Sequence, residues 1–227
     1  MTGIDSHIHL DKYAPEEQAH ILQELPDIGI EQLIAVSMDL ASCRDNLTLH
    51  RQHPGRVKPA FGFHPEQPLP SDAEMDALFH WMSEHRREMT AVGEVGLPYY
   101  IRKEAEREGR SFELAFYIGL LDRFAEFAAA ERTPMVLHAV YEDADTACDL
   151  LEKHGVTKAH FHWFKGSAST IDRMKRSGYF ISFTPDIWYE EEIRNLAAAY
   201  PLELMMAETD GLGRSKGVSK AKGRIPA

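Results

Sequence analysis

The chain has 227 residues, 44% of them hydrophobic, and 25 lysines and arginines against 36 aspartates and glutamates, for a formal charge of −11. That balance excludes a protein that grips nucleic acid through a broad basic surface, since duplex affinity comes largely from phosphate neutralisation, but not a site that processes one phosphodiester end. No apolar run is long enough to span a bilayer, no signal-type segment precedes the first strand pattern, and Cys43 and Cys148 lack metal-type spacing, so a soluble cytoplasmic protein with buried, reduced thiols and no membrane partner is expected.

This length suits one large α/β domain. Apolar runs bounded by turn residues alternate with amphipathic stretches along the chain. A first strand over 4–10 leads to a helix over 15–25, entered through Pro15 and closed by Gly29. A second strand covers 32–38, a helix over 41–53 ends at Pro54 and Gly55, and a third strand covers 57–63, stopping at His64 and Pro65. A helix capped by Ser71 or Asp72 then extends towards residue 88, with Met75, Leu78, Phe79 and Met82 inward. The fourth strand covers 91–97, residues 100–109 read as an exposed loop or short helix, and a long helix covers 111–132. A fifth strand starts at Pro134, and helices over 143–154, 169–178 and 190–200 alternate with strands over 158–164, 179–184 and 202–208. Eight strands with intervening helices predict an α/β fold, a TIM-like (β/α)8 barrel.

The alternation stops after Asp210. Arg214, Lys216, Lys220, Lys222 and Arg224 follow with no acid among them and little to bury. A barrel domain over 1–210, a flexible basic tail over 211–227 and a missing last helix are therefore expected.

Side chains alternate along a strand, so Asp5, His7 and His9 share one face of the first strand. Two imidazoles then converge, an arrangement suited to a divalent ion. Glu94, His138, His162 and Asp210 lie at or near the C-terminal ends of later apolar runs, the end that carries the active site of a parallel barrel. Glu94 in its apolar, glycine-flanked run would be costly to bury without a cation. Spacing leaves His160 open beside His162, because the two share a face. His20, His50, His53, His80, His85 and His154 fall on helices or their ends and read as surface residues. Lys165, close to His162, is a candidate contact for an anionic substrate.

With Asp5-Ser-His-Ile-His9, Gly62-Phe-His-Pro65, Gly93-Glu-Val-Gly-Leu97, Val136-Leu-His138, His162-Trp-Phe-Lys-Gly-Ser167 and Glu208-Thr-Asp210 in this order, the sequence resembles the TatD family of metal-dependent hydrolases from residue 4 to residue 210. The resemblance implies an amidohydrolase-like barrel holding two divalent ions (Mg, Mn or Zn). It implies His7 and His9 on the first metal, Glu94 bridging, His138 and His162 on the second, and Asp210 as a first-site carboxylate that takes the proton of the attacking water. His64 would lie at the mouth against substrate, and Asp5 would orient a histidine from behind. Two departures fall at substrate-facing positions: Trp163-Phe164-Lys165-Gly166 where many members have Cys-Phe-Ser-Gly, and Ala139-Val140-Tyr141 where many have an arginine.

The implied activity is a metal-dependent phosphodiesterase or deoxyribonuclease, exonuclease-like, that attacks DNA ends with a hydroxide bridging the metals. The same chemistry could serve a metal-dependent amide or ester hydrolase of a small molecule. A barrel phosphoesterase of the polymerase-and-histidinol-phosphatase type fits less well, since it normally has seven strands. From another class, the chain could be a metal-binding barrel without turnover.

Overall fold

The computed structural model describes residues 3–211. Eight strands, β1 (Gly3–Ile8), β2 (Ile30–Ala35), β3 (Val57–Phe61), β4 (Ala91–Gly96), β5 (Met135–His138), β6 (Ala159–Phe161), β7 (Phe180–Phe183) and β8 (Met205–Ala207), pair in parallel in sequence order. The ring is nearly closed by side-chain and main-chain bonds between its ends: the Ser6 hydroxyl donates to the Ala207 carbonyl and the Asp210 N–H donates to the His7 carbonyl, each at 3.0 Å. Helices α1 (Pro15–Glu24), α2 (Leu40–Gln52), α3 (Asp72–Glu84), α4 (Tyr99–Arg107), α5 (Leu114–Glu131), α6 (Asp143–His154), α7 (Ala168–Ser177) and α8 (Glu191–Ala199) cover the outside. None of these helices is long and apolar enough to cross a membrane.

Strand alternation divides the buried residues into two populations. Met135, Leu137, Phe161, Ile181 and Phe183 point outward and pack with Leu78, Met82, Leu121 and Phe124 of the helices. Val36, Ala60, Ala91 and Val136 form a separate small apolar cluster. Because both faces of a parallel sheet are covered, the strands read as near-continuous apolar runs. Local signals set the helix starts: Ser71 accepts from Glu74 N–H while Glu74 returns to Ser71 N–H, a reciprocal cap, and Ser167 and Asp39 cap α7 and α2 alone. Both cysteines are buried and free, their thiols pushed up to about 12 by burial.

Several expected boundaries shift, each for a local reason. Of the two readings of segment 100–109, loop or short helix, the helix is the one found, as α4 over Tyr99–Arg107, because the Glu66 carboxylate accepts from the N–H groups of Tyr100 and Ile101 at 2.8 Å and Arg102 is buried against Asp143 at 2.6 Å. Strand β6 stops at Phe161 rather than 164, since Trp163 turns into the left-handed region at φ 42°. Residues 202–204 form a 3-10 turn, so β8 begins only at Met205. The basic tail and the missing last helix lie outside the described residues.

The β4 to β5 contact sets a tight limit on side-chain size. A Cβ added to Gly96 would lie 1.9 Å from the His138 carbonyl oxygen, and one on Gly93 would lie 2.7 Å from the Val136 Cβ. Gly96→Ala is therefore expected to cost about 3 kcal/mol or more, read as a fall in the urea midpoint of the metal-free protein. A loss under about 0.5 kcal/mol would mean the two strands can separate without cost.

Candidate metal centre

The strand ends bring the six predicted ligands to one rim. Glu94, with a side chain 0% exposed, lies at the middle: its Oε2 is 3.1 Å from His7 Nε2 and 3.2 Å from His9 Nε2. Its Oε1 is 3.0 Å from His138 Nδ1 and 3.0 Å from His162 Nε2. Asp210 Oδ1 approaches His7 Nε2 at 3.6 Å and His9 Nε2 at 3.9 Å. Ligand-type atoms of His7, Glu94 and His162, and those of His7, His9 and Asp210, lie within 4.8 Å of one another.

His138 Nδ1 hydrogen-bonds Glu94 Oε1, but other atoms of the set converge without pairing. His7 Nε2 and Glu94 Oε2 are buried and close, yet neither has a hydrogen-bond partner, and His7 Nδ1 and His9 Nδ1 are likewise unpartnered. Buried nitrogen and oxygen lone pairs left unsatisfied are costly. A divalent ion satisfies such a set of nitrogen and oxygen donors, so the residues present fit a metal.

Two carboxylates outside the predicted set fix the histidines from behind. Glu66 Oε1 lies 3.1 Å from His138 Nε2, leaving Nδ1 for the centre. Glu208 Oε1 faces His162 Nδ1 at 3.4 Å, leaving Nε2 for the centre. This is the usual carboxylate-histidine-metal arrangement, and it selects the ring nitrogen presented to an ion. Glu208 is itself held by the Trp163 N–H at 3.0 Å and the Ser182 hydroxyl at 2.6 Å. Both glutamates stand in the sequence beside predicted site residues, Glu66 two after His64 and Glu208 two before Asp210; strand period alone would have put Glu208 on the same face as Asp210.

The electrostatics follow burial and these contacts. Burial lowers His7 to about 3 and His160 to about 4, keeping both neutral. Burial would also lower His138, but its hydrogen bonds to Glu66 and Glu94 outweigh that and raise it to about 9. Against the upward pull of burial, the surrounding histidines hold Glu94 well below the carboxylate range, and His162 holds Glu208 at about 2. Burial raises Asp210, making it a better proton acceptor than an exposed aspartate.

The remaining predicted positions separate. His162 enters the cluster, whereas His160 donates to the Ser182 hydroxyl at 2.6 Å, one layer below. His64 reaches inward, with Nε2 3.4 Å from Glu94 Oε1, while its Nδ1 accepts the Glu66 N–H at 3.1 Å. It thus caps its loop and presents an N–H donor to the site. Lys165 stands apart, its Nζ 4.6 Å from the Trp163 ring centroid. The expected role of Asp5 is corrected: its carboxylate takes the Thr209 N–H at 3.1 Å, the Thr209 hydroxyl at 2.6 Å and the His7 main-chain N–H at 3.3 Å, not an imidazole. It ties β8 to β1. His20, His80, His85 and His154 pair with surface acids, and His50 with the Val57 carbonyl.

A parallel eight-stranded barrel with histidines and carboxylates gathered at the C-terminal ends of its strands defines the class of barrel hydrolases. The family model described as TatD related DNase matches residues 4–214, and the chain belongs to that family. It is 39% identical over 217 residues to an "uncharacterized metal-dependent hydrolase" of Haemophilus influenzae, covering 96% of this chain and 84% of the relative. Human deoxyribonuclease TATDN3 is 26% identical over 227 residues, covering 95% and 80%, and the 3'-5' ssDNA/RNA exonuclease TatD of Erwinia tasmaniensis is 23% identical over 201, covering 86% and 73%. Among solved structures, the Escherichia coli TatD homologue YJJV superposes with a TM-score of 0.76 at 24% identity, covering 92% of this chain and 78% of that one.

Glu208 has a consequence that stability can read. Glu208→Ala leaves the Trp163 N–H and the Ser182 hydroxyl without their acceptor and is expected to lower the unfolding free energy by about 3–5 kcal/mol, with Glu208→Gln much milder. Urea denaturation of metal-free protein measures this; equal losses in both variants would count against the acceptor role.

Proposed function

We propose that this protein is a metal-dependent phosphodiesterase, a deoxyribonuclease acting at the end of a DNA strand, with two divalent ions held by His7, His9, Glu94, His138, His162 and Asp210. The observation that carries the reading is the fully buried Glu94 carboxylate, each oxygen facing two imidazole nitrogens within 3.2 Å. One carboxylate with two such oxygens can serve two ions, while each histidine offers only one free nitrogen and serves one. The names of the human and Erwinia relatives, a deoxyribonuclease and an exonuclease, support the phosphodiester as the bond attacked. Metal dependence is in the name of the Haemophilus relative. Among Mg, Mn and Zn, the imidazole nitrogens of this donor set favour Zn, and its carboxylate oxygens suit Mg and Mn.

When bound, two such ions would polarise the phosphoryl oxygens and lower the pKa of a water towards neutrality. The chain supplies the remaining functions. Asp210, raised by burial and 23% exposed at its side chain, is positioned to take a proton at its carboxylate from the attacking water. His64 offers its Nε2–H at the mouth, where it can hold a substrate oxygen. Glu66 and Glu208 keep His138 and His162 from rotating. The buried, reduced thiols suit a cytoplasmic setting.

A strand labelled at one end, incubated with Mg, Mn or Zn beside a panel of amides and carboxylic esters, tests the proposal. Metal-dependent release of nucleotides from the strand is expected, with the amides and esters left intact. Glu94→Ala should lose both bound metal, by elemental analysis, and about a thousandfold or more of activity, equivalent to roughly 4 kcal/mol of activation free energy. Retention of two metal equivalents by that variant, or cleavage confined to amides or esters, would overturn the reading.

A further inference from the structure

Below the metal centre lies a row of buried polar groups that the proposed chemistry leaves without a function. His160 on β6, Ser182 on β7 and Glu208 just past β8 come from three neighbouring strands, and all three are buried. His160 Nε2 lies 2.6 Å from Ser182 Oγ, and Ser182 Oγ lies 2.6 Å from Glu208 Oε2. The other oxygen of Glu208 takes the Trp163 N–H at 3.0 Å and faces His162 Nδ1 at 3.4 Å. The row thus runs from a histidine that reaches no ion site to one that does.

Counting protons and lone pairs fixes its direction. The Ser182 hydroxyl, the Trp163 N–H and the His162 ring all can donate to Glu208, which is therefore an ionised acceptor at both oxygens. At 2.6 Å from a carboxylate, the single proton of the Ser182 hydroxyl is committed to Oε2. Two lone pairs remain on that hydroxyl. One takes the Trp163 N–H at 3.3 Å, and the other is met by a proton on His160 Nε2. His160 Nδ1 is buried and has no hydrogen-bond partner among the described residues, so a proton there would be unsatisfied. His160 is accordingly a neutral imidazole protonated at Nε2, and every site on the Ser182 hydroxyl is used. Glu208, held at both oxygens, keeps Oε1 opposite His162 Nδ1. A proton on that nitrogen leaves the Nε2 lone pair of His162 directed at the centre, where it lies 3.0 Å from Glu94.

Filling the barrel interior does not call for this set. A buried imidazole with one nitrogen unpaired costs more than an apolar side chain of its size. The link from Glu208 to His162 is the longest of the row, so the orientation of that imidazole depends on how firmly the carboxylate is held.

We propose that His160 and Ser182 are positioning residues for one of the two ions: they lock Glu208 in the orientation that presents His162 Nε2 to it. The proposal rests on the two-ion reading given above. It concerns the ion of His138 and His162, since the side chains of His7, His9 and Asp210 take no hydrogen bond from His160, Ser182 or Glu208.

Titration of metal-free protein with zinc against a chromophoric chelator counts the ions and ranks their affinities without any substrate. Wild type is expected to bind two. Ser182→Ala and His160→Asn should each weaken one ion by roughly tenfold to a hundredfold and leave the other unchanged. His160→Gln should keep both affinities, because a glutamine amide nitrogen stands where Nε2 does and that of asparagine where Nδ1 does. Proton–nitrogen NMR spectra of the histidine rings supply a second readout in metal-free wild type, where His160 should carry its proton on Nε2. Should Ser182→Ala not fold, the Asn and Gln variants and this spectrum decide. Two ions bound with both affinities unchanged in Ser182→Ala and His160→Asn, equal weakening of both ions, equal effects of Asn and Gln, or a proton on His160 Nδ1 overturns the positioning role and leaves the two-ion reading standing. If wild type binds fewer than two ions, that reading fails and the positioning role falls with it.

Discussion

The structure depends on one buried negative charge. Glu94 has no solvent exposure, and an isolated carboxylate in such a place would be neutralised by protonation. Here five imidazoles, those of His7, His9, His64, His138 and His162, stand within 3.4 Å of its oxygens. Without metal, protons on His138 and His162 offset the charge; a divalent ion would do the same more strongly and would also satisfy the unpartnered atoms of His7 and His9. The barrel is the means of bringing these groups together, since they come from strands β1, β4 and β5, the turn after β6 and the loop after β3. Its tight strand contacts at Gly93 and Gly96 keep Glu94 and His138 at that distance.

The fold was legible because period and punctuation agree over most of the chain. Helix α6 spans the residues its apolar spacing predicts, since Asp143 opens it and Gly155, at φ 71°, closes it. Strand ends were less legible, for a reason visible at β6. The apolar run continues to Phe164, but Trp163 gives up the strand conformation to reach Glu208 and Asp186. A tertiary partner outweighs the local preference, and no spacing rule carries that information. Helix α4 was ambiguous in the same way, because its first-turn N–H groups are met by Glu66 from another loop.

The ligand set was legible to a similar degree and with a similar gap. His7, His9, Glu94, His138 and Asp210 fall at strand ends, where alternation and barrel geometry point to one rim. His160 and His162 could not be separated by period, since both face inward; height decides between them. His160 lies a layer deeper, against Ser182, and only the residue beyond the strand reaches Glu94. Of the supporting glutamates, Glu208 shares a face with Asp210 by period, while Glu66 stands in a loop with no period to mark it. Their function is to face the second nitrogen of an imidazole, a relation between loops, and Asp5, which did lie on the ligand face, is occupied by Thr209 instead.

The charge of the chain bears on how such a centre could take a polyanion. A net −11 repels a long strand at a distance, and the centre contributes further carboxylates. Attraction must then be local: ions at the rim, the ammonium of Lys165, and contacts that do not depend on charge. One turn of backbone, anchored on Glu208 through the Trp163 N–H, also sets the imidazole of His162 that would hold such an ion, so the same carboxylate fixes both the loop and the ligand at the rim.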